Sequence, residues 1–318
     1  MGKIASIVIP LVCAALILPA IAIADSMPPV CGDVLLRKIP PRASTALSGR
    51  EFARRIAGLS GLDREQSIEA QLRSGNVPEF LRSVDAIYLN GELPDGRTVH
   101  VTACVLPDYL AIGSNRDFLV IPMRLATALN VANQYGFTLP TSKMVDAIYE
   151  QAPVHLFPQP LPAGDQMRST DYYCHHNELI AEQRTELGVS PGVLTSGHMK
   201  DLVITNRLWR FPDRVAIYGW HRGPHDPIQP LSTVHGGRYV DYSHGVRLVS
   251  DTICVEGRQM SIFDALADPD LARILSSEGP IARVNDLLSK LASLKLDYSP
   301  AFAGADGMPS FDFTAKPQ

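Results

Sequence analysis

The chain has 318 residues, 46% of them apolar and 19% charged, with a formal net charge of −4. This composition is that of a globular protein and excludes a disordered chain. The charge balance, and the lack of any lysine- or arginine-rich run, give no reason to expect nucleic-acid binding.

Residues 1–24 read as an export signal. Lys3 supplies the positive start, Ile4 to Ile23 is nearly all apolar, and Ala22-Ile23-Ala24 is an A-x-A cleavage site before Asp25. An uncleaved anchor is the competing reading, because the run approaches the roughly 20 residues that span a bilayer. Pro10, Pro19 and the small-residue end favour cleavage. The expectation is an exported protein, periplasmic or extracellular, with no stable membrane span once the signal is removed. Removal leaves Cys31, Cys104, Cys174 and Cys254. An even set in an exported chain permits two disulfides in three connectivities, and at least one is expected.

Residues 25–45 carry Pro28, Pro29, Pro40 and Pro41 and read as an extended lead-in. Helical spacing follows over 49–59, with Phe52, Ile56 and Leu59 on one side. A second helical pattern covers 63–84, broken around Gly75-Asn76-Val77-Pro78. Strand patterns cover 86–89, 98–106, 109–112 and 118–121, with turns at Pro94-Asp95-Gly96 and at 113–117. Asp108, Arg116 and Asp117 are read as polar turn residues before they are read as a cleft border. Leu125 to Tyr135 is a helix closed by Gly136. Thr141 is the N-cap of the next, whose stripe is Met144, Val145, Ile148 and Tyr149.

Residues 153–162 are a proline-rich crossing, and 171–187 a polar helix. Its adjacent His175 and His176 point about 100° apart, either as a surface pair or with one buried and one exposed. Helices over 261–274 and 281–296 precede a loosely ordered tail at 298–318. The whole reads as α+β, a single domain over 46–297. A helical N-terminal layer packs on a mostly antiparallel, β-rich body with C-terminal helices.

The stretch 193–250 carries the candidate site. Five of the nine histidines (His198, His221, His225, His235 and His244) and both tryptophans fall within it. Strand-like runs LVIT, RVAIYGW, YVDYS and VRLVS alternate there with polar turns. A histidine satisfied by ordinary hydrogen bonds is the simplest reading of each position alone. Five so close together point to a site on strand ends. The catalytic candidates are His198, Asp201, His221, His235 and His244. At least three of the four imidazoles are expected around one cleft with Asp201 or Asp241 and Arg247. Lys200, Tyr218, Trp220, Asp241, Ser243 and Arg247 are the substrate-binding candidates, with Arg247 as a carboxylate clamp. His198, Asp201 and His235 are the candidate ligands of a divalent metal such as zinc, although no established metal spacing is present. There is no nucleotide-binding motif, so no nucleotide cofactor is expected. A serine nucleophile at Ser196 or Ser243 ranks lower, since no G-x-S-x-G elbow exists.

Val234-His235-Gly236 and Ser243-His244-Gly245-Val246-Arg247 resemble the L,D-transpeptidases of the bacterial cell wall. These carry a His-Gly pair and then Ser-His-Gly-Cys-x-Arg on a β-rich exported domain. The likeness covers about a dozen residues. Val246 stands where the family has its cysteine, and the transpeptidase reaction needs that thiolate, so membership is not assigned. The reading that remains is an exported hydrolase acting on a cell-envelope polymer, chiefly on peptide or amide bonds of peptidoglycan, by His/Asp acid–base or metal-assisted chemistry. The alternative is a non-catalytic envelope or periplasmic binding protein for a carboxylate- or sugar-containing small ligand.

Overall fold

In the computed structural model the described residues are 38–294, together with Gly2 and Cys31. The export signal, most of the lead-in and the tail lie outside the described residues.

The first helices start and stop where local chemistry dictates. Helix α1 (Gly49–Ile56) opens on a capping box, in which the Ser48 side chain accepts from Glu51 N and the Glu51 carboxylate accepts from Ser48 N. Helix α2 (Gly61–Arg73) ends just before Gly75, whose φ of 80° a side chain would strain. The second predicted helix therefore breaks where expected, and Glu79–Arg82 resumes only as a 3-10 turn.

Strands β1 (Asp85–Glu92) and β2 (Thr98–Val105) pair antiparallel over their full length. Strands β3 (Ala111–Gly113) and β4 (Phe118–Val120) form a hairpin. Helix α3 (Leu125–Tyr135) closes at Gly136, φ 78°, and runs into β5 (Phe137–Thr138). Helix α4 (Ser142–Gln151) is capped by Thr141 as expected. The proline-rich crossing contains β6 (Val154–His155), and α5 (Thr170–Glu186) follows, capped by Ser169. Next come β7 (Thr195–Ser196), β8 (Lys200–Leu202), α6 (Arg207–Arg210), β9 (Ile217–His221), β10 (Pro227–Ser232), β11 (His244–Gly245), β12 (Val249–Ser250), β13 (Thr252–Val255) and β14 (Arg258–Ser261). The described chain ends with α7 (Ile262–Ala267), α8 (Ala272–Leu275) and α9 (Val284–Ser293).

The architecture is α+β. A six-stranded sheet has the order β14-β13-β2-β12-β5, with β1 beside β2, and a four-stranded sheet has the order β10-β9-β8-β11. Pairing is antiparallel except for β8 with β11 and β6 with β7. One continuous apolar cluster joins the helices to the sheets, with Ile68, Leu72, Ile87, Val101, Leu129, Ile148 and Val249 within it. Cys31 and Cys104 form a disulfide that ties the lead-in to β2, while Cys174 and Cys254 are free. Among the described residues no helix is long and apolar enough to cross a membrane.

Two expectations fail and one strand forms where none is expected, each for a local reason. YVDYS is not a strand: the Asp241 carboxylate accepts from Ser243 N and Oγ and folds the backbone into a turn. The helix expected over 261–274 is split, because Asp268 Oδ1 accepts from the N–H groups of Asp270 and Leu271 and starts a new turn. Strand β10 was not expected from a segment holding Pro227 and Pro230; it lies at a sheet edge, where a missing N–H is tolerated.

Candidate active site

The loop from β7 to β8 delivers His198. Gly197 has φ 105°, and a Cβ there would stand 2.5 Å from Leu156 O, so only glycine lets the chain pass. The His198 imidazole is fully buried. Its Nε2 lies 3.5 Å from Asp108 Oδ1, and its ring meets Tyr109 edge-on at 5.0 Å. Arg184 is ion-paired with Asp108, and Tyr109 N donates to the same carboxylate at 2.8 Å. Burial alone would raise the Asp108 pKa, but Arg184, then His198 and Arg247, hold it well below the usual carboxylate range. Burial pushes the His198 pKa down, against the pull of Asp108. The result is an anionic carboxylate beside a neutral imidazole.

Lys200 and Asp201 alternate along β8 and so point to opposite faces. On one face Asp201 Oδ2 accepts from Tyr109 OH at 2.9 Å. Asp201 and His221 both crowd over Gly219, where a Cβ would meet Asp201 Oδ2 at 3.4 Å and His221 Cε1 at 3.5 Å. Gly219 and Trp220 both have positive φ, 106° and 59°, so the backbone that turns His221 inward is strained at Trp220. His221 Nε2 is 3.1 Å from Asp146 Oδ1, which also accepts from Tyr218 OH at 2.8 Å. Burial pushes the Asp201 pKa up to about 6 despite the attraction of Arg247. Arg247 donates to Leu106 O at 2.8 Å and Thr195 O at 2.5 Å and lies over the Tyr109 ring. The expected carboxylate clamp is thus committed to main-chain carbonyls inside the protein.

On the other face the Lys200 ammonium lies 4.6 Å above the Trp220 ring, whose Nε1 donates to His198 O. Strand β11 sets His244 level with Lys200. His244 Nε2 is 3.8 Å from Asp241 Oδ2, and Tyr239 OH donates to that same oxygen at 3.0 Å. His235 stacks on Tyr239 at 4.1 Å. Burial brings His244 down to about 4, partly opposed by Asp241. The Ser243 hydroxyl is spent on Asp241 at 2.6 Å, so it does not face a histidine as a nucleophile would.

The predicted residues therefore fall into groups on the two faces of β8, and three histidines each take a separate acid: His198 with Asp108, His221 with Asp146, His244 with Asp241. Among the described residues no three His, Cys, Asp or Glu side chains are grouped to hold a metal ion. His198, Asp201 and His235 do not form the expected ligand set, since Asp201 serves Tyr109 and His235 stacks on Tyr239.

Asp108, read in the sequence first as a turn residue and then as a cleft border, and His176, one of an adjacent pair, complete the picture together with Asp146 and Arg184, which carry no signal in the sequence. His176 is the buried member of the His175–His176 pair. Burial, and then His198 nearby, bring its pKa down to about 3. His176, His198, Met199, Tyr173 and Tyr242 line a small cavity. Val120, Asn177 and Ile180 line it too, and they also line a larger surface groove of about 180 Å³ between α1, β4 and α5. Twelve buried side-chain polar atoms lack a hydrogen-bond partner among the described residues. Seven belong to His176, His198, Asp201, His244 and Arg247. Buried polar atoms are normally satisfied, and seven of the twelve cluster around the buried histidines. No family model, curated protein or solved structure matches the chain.

Proposed function

We propose that this protein is an exported hydrolase of a cell-envelope polymer, acting on peptide or amide bonds such as those of peptidoglycan, with His198 as general base and Asp108 as the residue that orients it. The observation that carries the reading is the His198 imidazole itself. It is neutral and buried, its Nε2 faces the anionic Asp108 carboxylate at 3.5 Å, its Nδ1 has no hydrogen-bond partner among the described residues, and it is set in the wall of a cavity that adjoins the groove. A base with a depressed pKa is unprotonated at neutral pH, and an adjacent carboxylate stabilises the imidazolium that forms. In the proposed step His198 takes a proton from water as its oxygen attacks the carbonyl carbon. As the C–N bond breaks, the imidazolium returns that proton to the leaving amine. The A-x-A segment and the Cys31–Cys104 disulfide support an oxidising, extracytoplasmic setting.

The test is release of new amino groups from purified peptidoglycan by the mature protein. His198→Asn should lower the rate by roughly 10²–10⁴-fold, the usual worth of a general base, with an unchanged melting temperature as the control for folding. A mutant as fast as the parent, or a parent that binds the polymer and releases nothing, defeats the hydrolase reading. The second result is the behaviour of a binding protein.

A further inference from the structure

We infer that the groove between α1, β4 and α5 is a subsite for a short peptide held by its free carboxylate end, and that it is the approach to His198. The claim deepens the hydrolase reading by naming the end of the substrate that is gripped, but its test is a binding test.

The groove has a direction. Arg50 begins α1 beside the β3–β4 turn, where Asp117 Oδ1 accepts from Arg50 N at 3.0 Å. Arg116 lies in that turn. Val120 lies at the other end of β4 and is shared with the His176–His198 cavity. Phe118 to Val120 is two strand steps, about 7 Å, the length of a two- or three-residue peptide lying along the wall. Ala53, Phe118 and Ala181 make that wall apolar and leave room for small side chains.

The charges select the ligand class. No carboxylate among the described residues is paired with the Arg50 or Arg116 guanidinium, although both residues line the groove. Arg184, by comparison, is already neutralised by Asp108. Two unspent guanidinium forks suit a carboxylate. Asp117 and Glu178 border the same groove and repel a polyanion. A ligand with one carboxylate, and an amine for Glu178 to attract, fits; a nucleic acid or polyphosphate does not. The inner end is coupled to the dyad as well, because Arg184 lines the groove and holds Asp108, which faces His198.

Calorimetry of the mature protein with tri-alanine and with tri-alanine amide tests this. The free acid should bind about tenfold more tightly, the worth of one charged hydrogen bond. Arg116→Gln combined with Arg50→Gln should bring the acid down to the affinity of the amide and leave the amide unaffected. The position is read independently at Cys174, which lines the groove and is half-buried. Saturating tri-alanine should slow alkylation of Cys174 by N-ethylmaleimide, as followed by peptide mass. Absence of binding at millimolar peptide, equal affinity for acid and amide, a preference that survives the double substitution, or unprotected Cys174 would each overturn the assignment. His198→Asn should retain the binding, so a failed hydrolysis assay with intact peptide binding discards the hydrolase reading alone.

Discussion

The two sheets share one apolar cluster but differ in the polar groups they bury. Around β2 the six-stranded sheet is lined by Ile87, Val99, Val101, Ala103, Val105, Val249 and Ile253, and is pinned by the Cys31–Cys104 disulfide. Burial of such side chains is favourable by roughly 1.5–3 kcal/mol each. Around β8 the four-stranded sheet buries Asp201, His221 and His244, with Arg247 and Asp108 against it. Buried ion pairs are often no more stabilising than apolar side chains of the same volume, because desolvation offsets their attraction. Stability alone therefore gives less reason for the buried charges around β8 than for the apolar side chains around β2. The surplus of polar groups around β8 is the physical ground for placing function there.

The comparison breaks most sharply at Asp108. Asp108→Ala leaves Arg184 buried with its counter-charge removed, and should cost about 3–5 kcal/mol in urea unfolding. A cost under 1 kcal/mol would show that the network around β8 is as tolerant as a surface ion pair. In the six-stranded sheet the matching change is Cys31→Ser with Cys104→Ser. A separation of 73 residues gives about 4 kcal/mol from loop entropy. Thiol titration of the unfolded, unreduced chain from residue 25 onward should find two free thiols, Cys174 and Cys254.

Legibility in the sequence differs between the same two regions. The elements that follow local rules are readable: α3 ends at Gly136, α4 begins after Thr141, and α2 stops before Gly75. In the histidine-bearing stretch His198, His221 and His244 are all buried in polar company. Their partners are not readable. Asp108 and Asp146 precede their histidines by 90 and 75 residues, and neither has a local pattern that sets it apart from a turn or helix-surface acid. His176 was ambiguous for a similar reason. Helical phase separates it from His175 but does not say which of the two faces inward. The inference that Arg247 would hold a ligand failed because pairing sets its fork against Leu106 O and Thr195 O, contacts made across 141 and 52 residues.

The acid limb of stability sharpens the comparison next. His244 has its pKa lowered from 6.5 to about 4, chiefly by burial. A lowered histidine binds its proton less readily in the native than in the unfolded chain. Its contribution is complete above pH 6.5 and is lost as pH falls from 6.5 through 4. The size is about 3 kcal/mol for a shift of this order. His244→Gln should flatten the stability profile over that window. A profile unchanged by the substitution would mean that the ring is not held neutral by its surroundings.

The smallest effect has the opposite sign. Asp201 is raised from 3.8 to about 6 by burial, against Arg247 and the Tyr109 hydrogen bond. In the native protein it keeps its proton where the unfolded chain has released it. Ionisation of the unfolded chain alone therefore lowers stability progressively from about pH 4 to pH 6, and the whole cost is present at pH 7. Asp201→Asn fixes the neutral form, and its amide oxygen can still accept from Tyr109 OH. The variant should be more stable than the parent at pH 7 by about 3 kcal/mol, and equal to it at pH 4. No aliphatic replacement of Ile87 offers this result, since a well-packed apolar position loses stability when its side chain is made smaller. A gain at Asp201 would show that the carboxylate is kept at a cost to the fold, as expected of a functional group and not of a structural one. A loss at pH 7 would show instead that the Asp201 carboxylate holds Arg247 and Tyr109 in place and belongs to the scaffold.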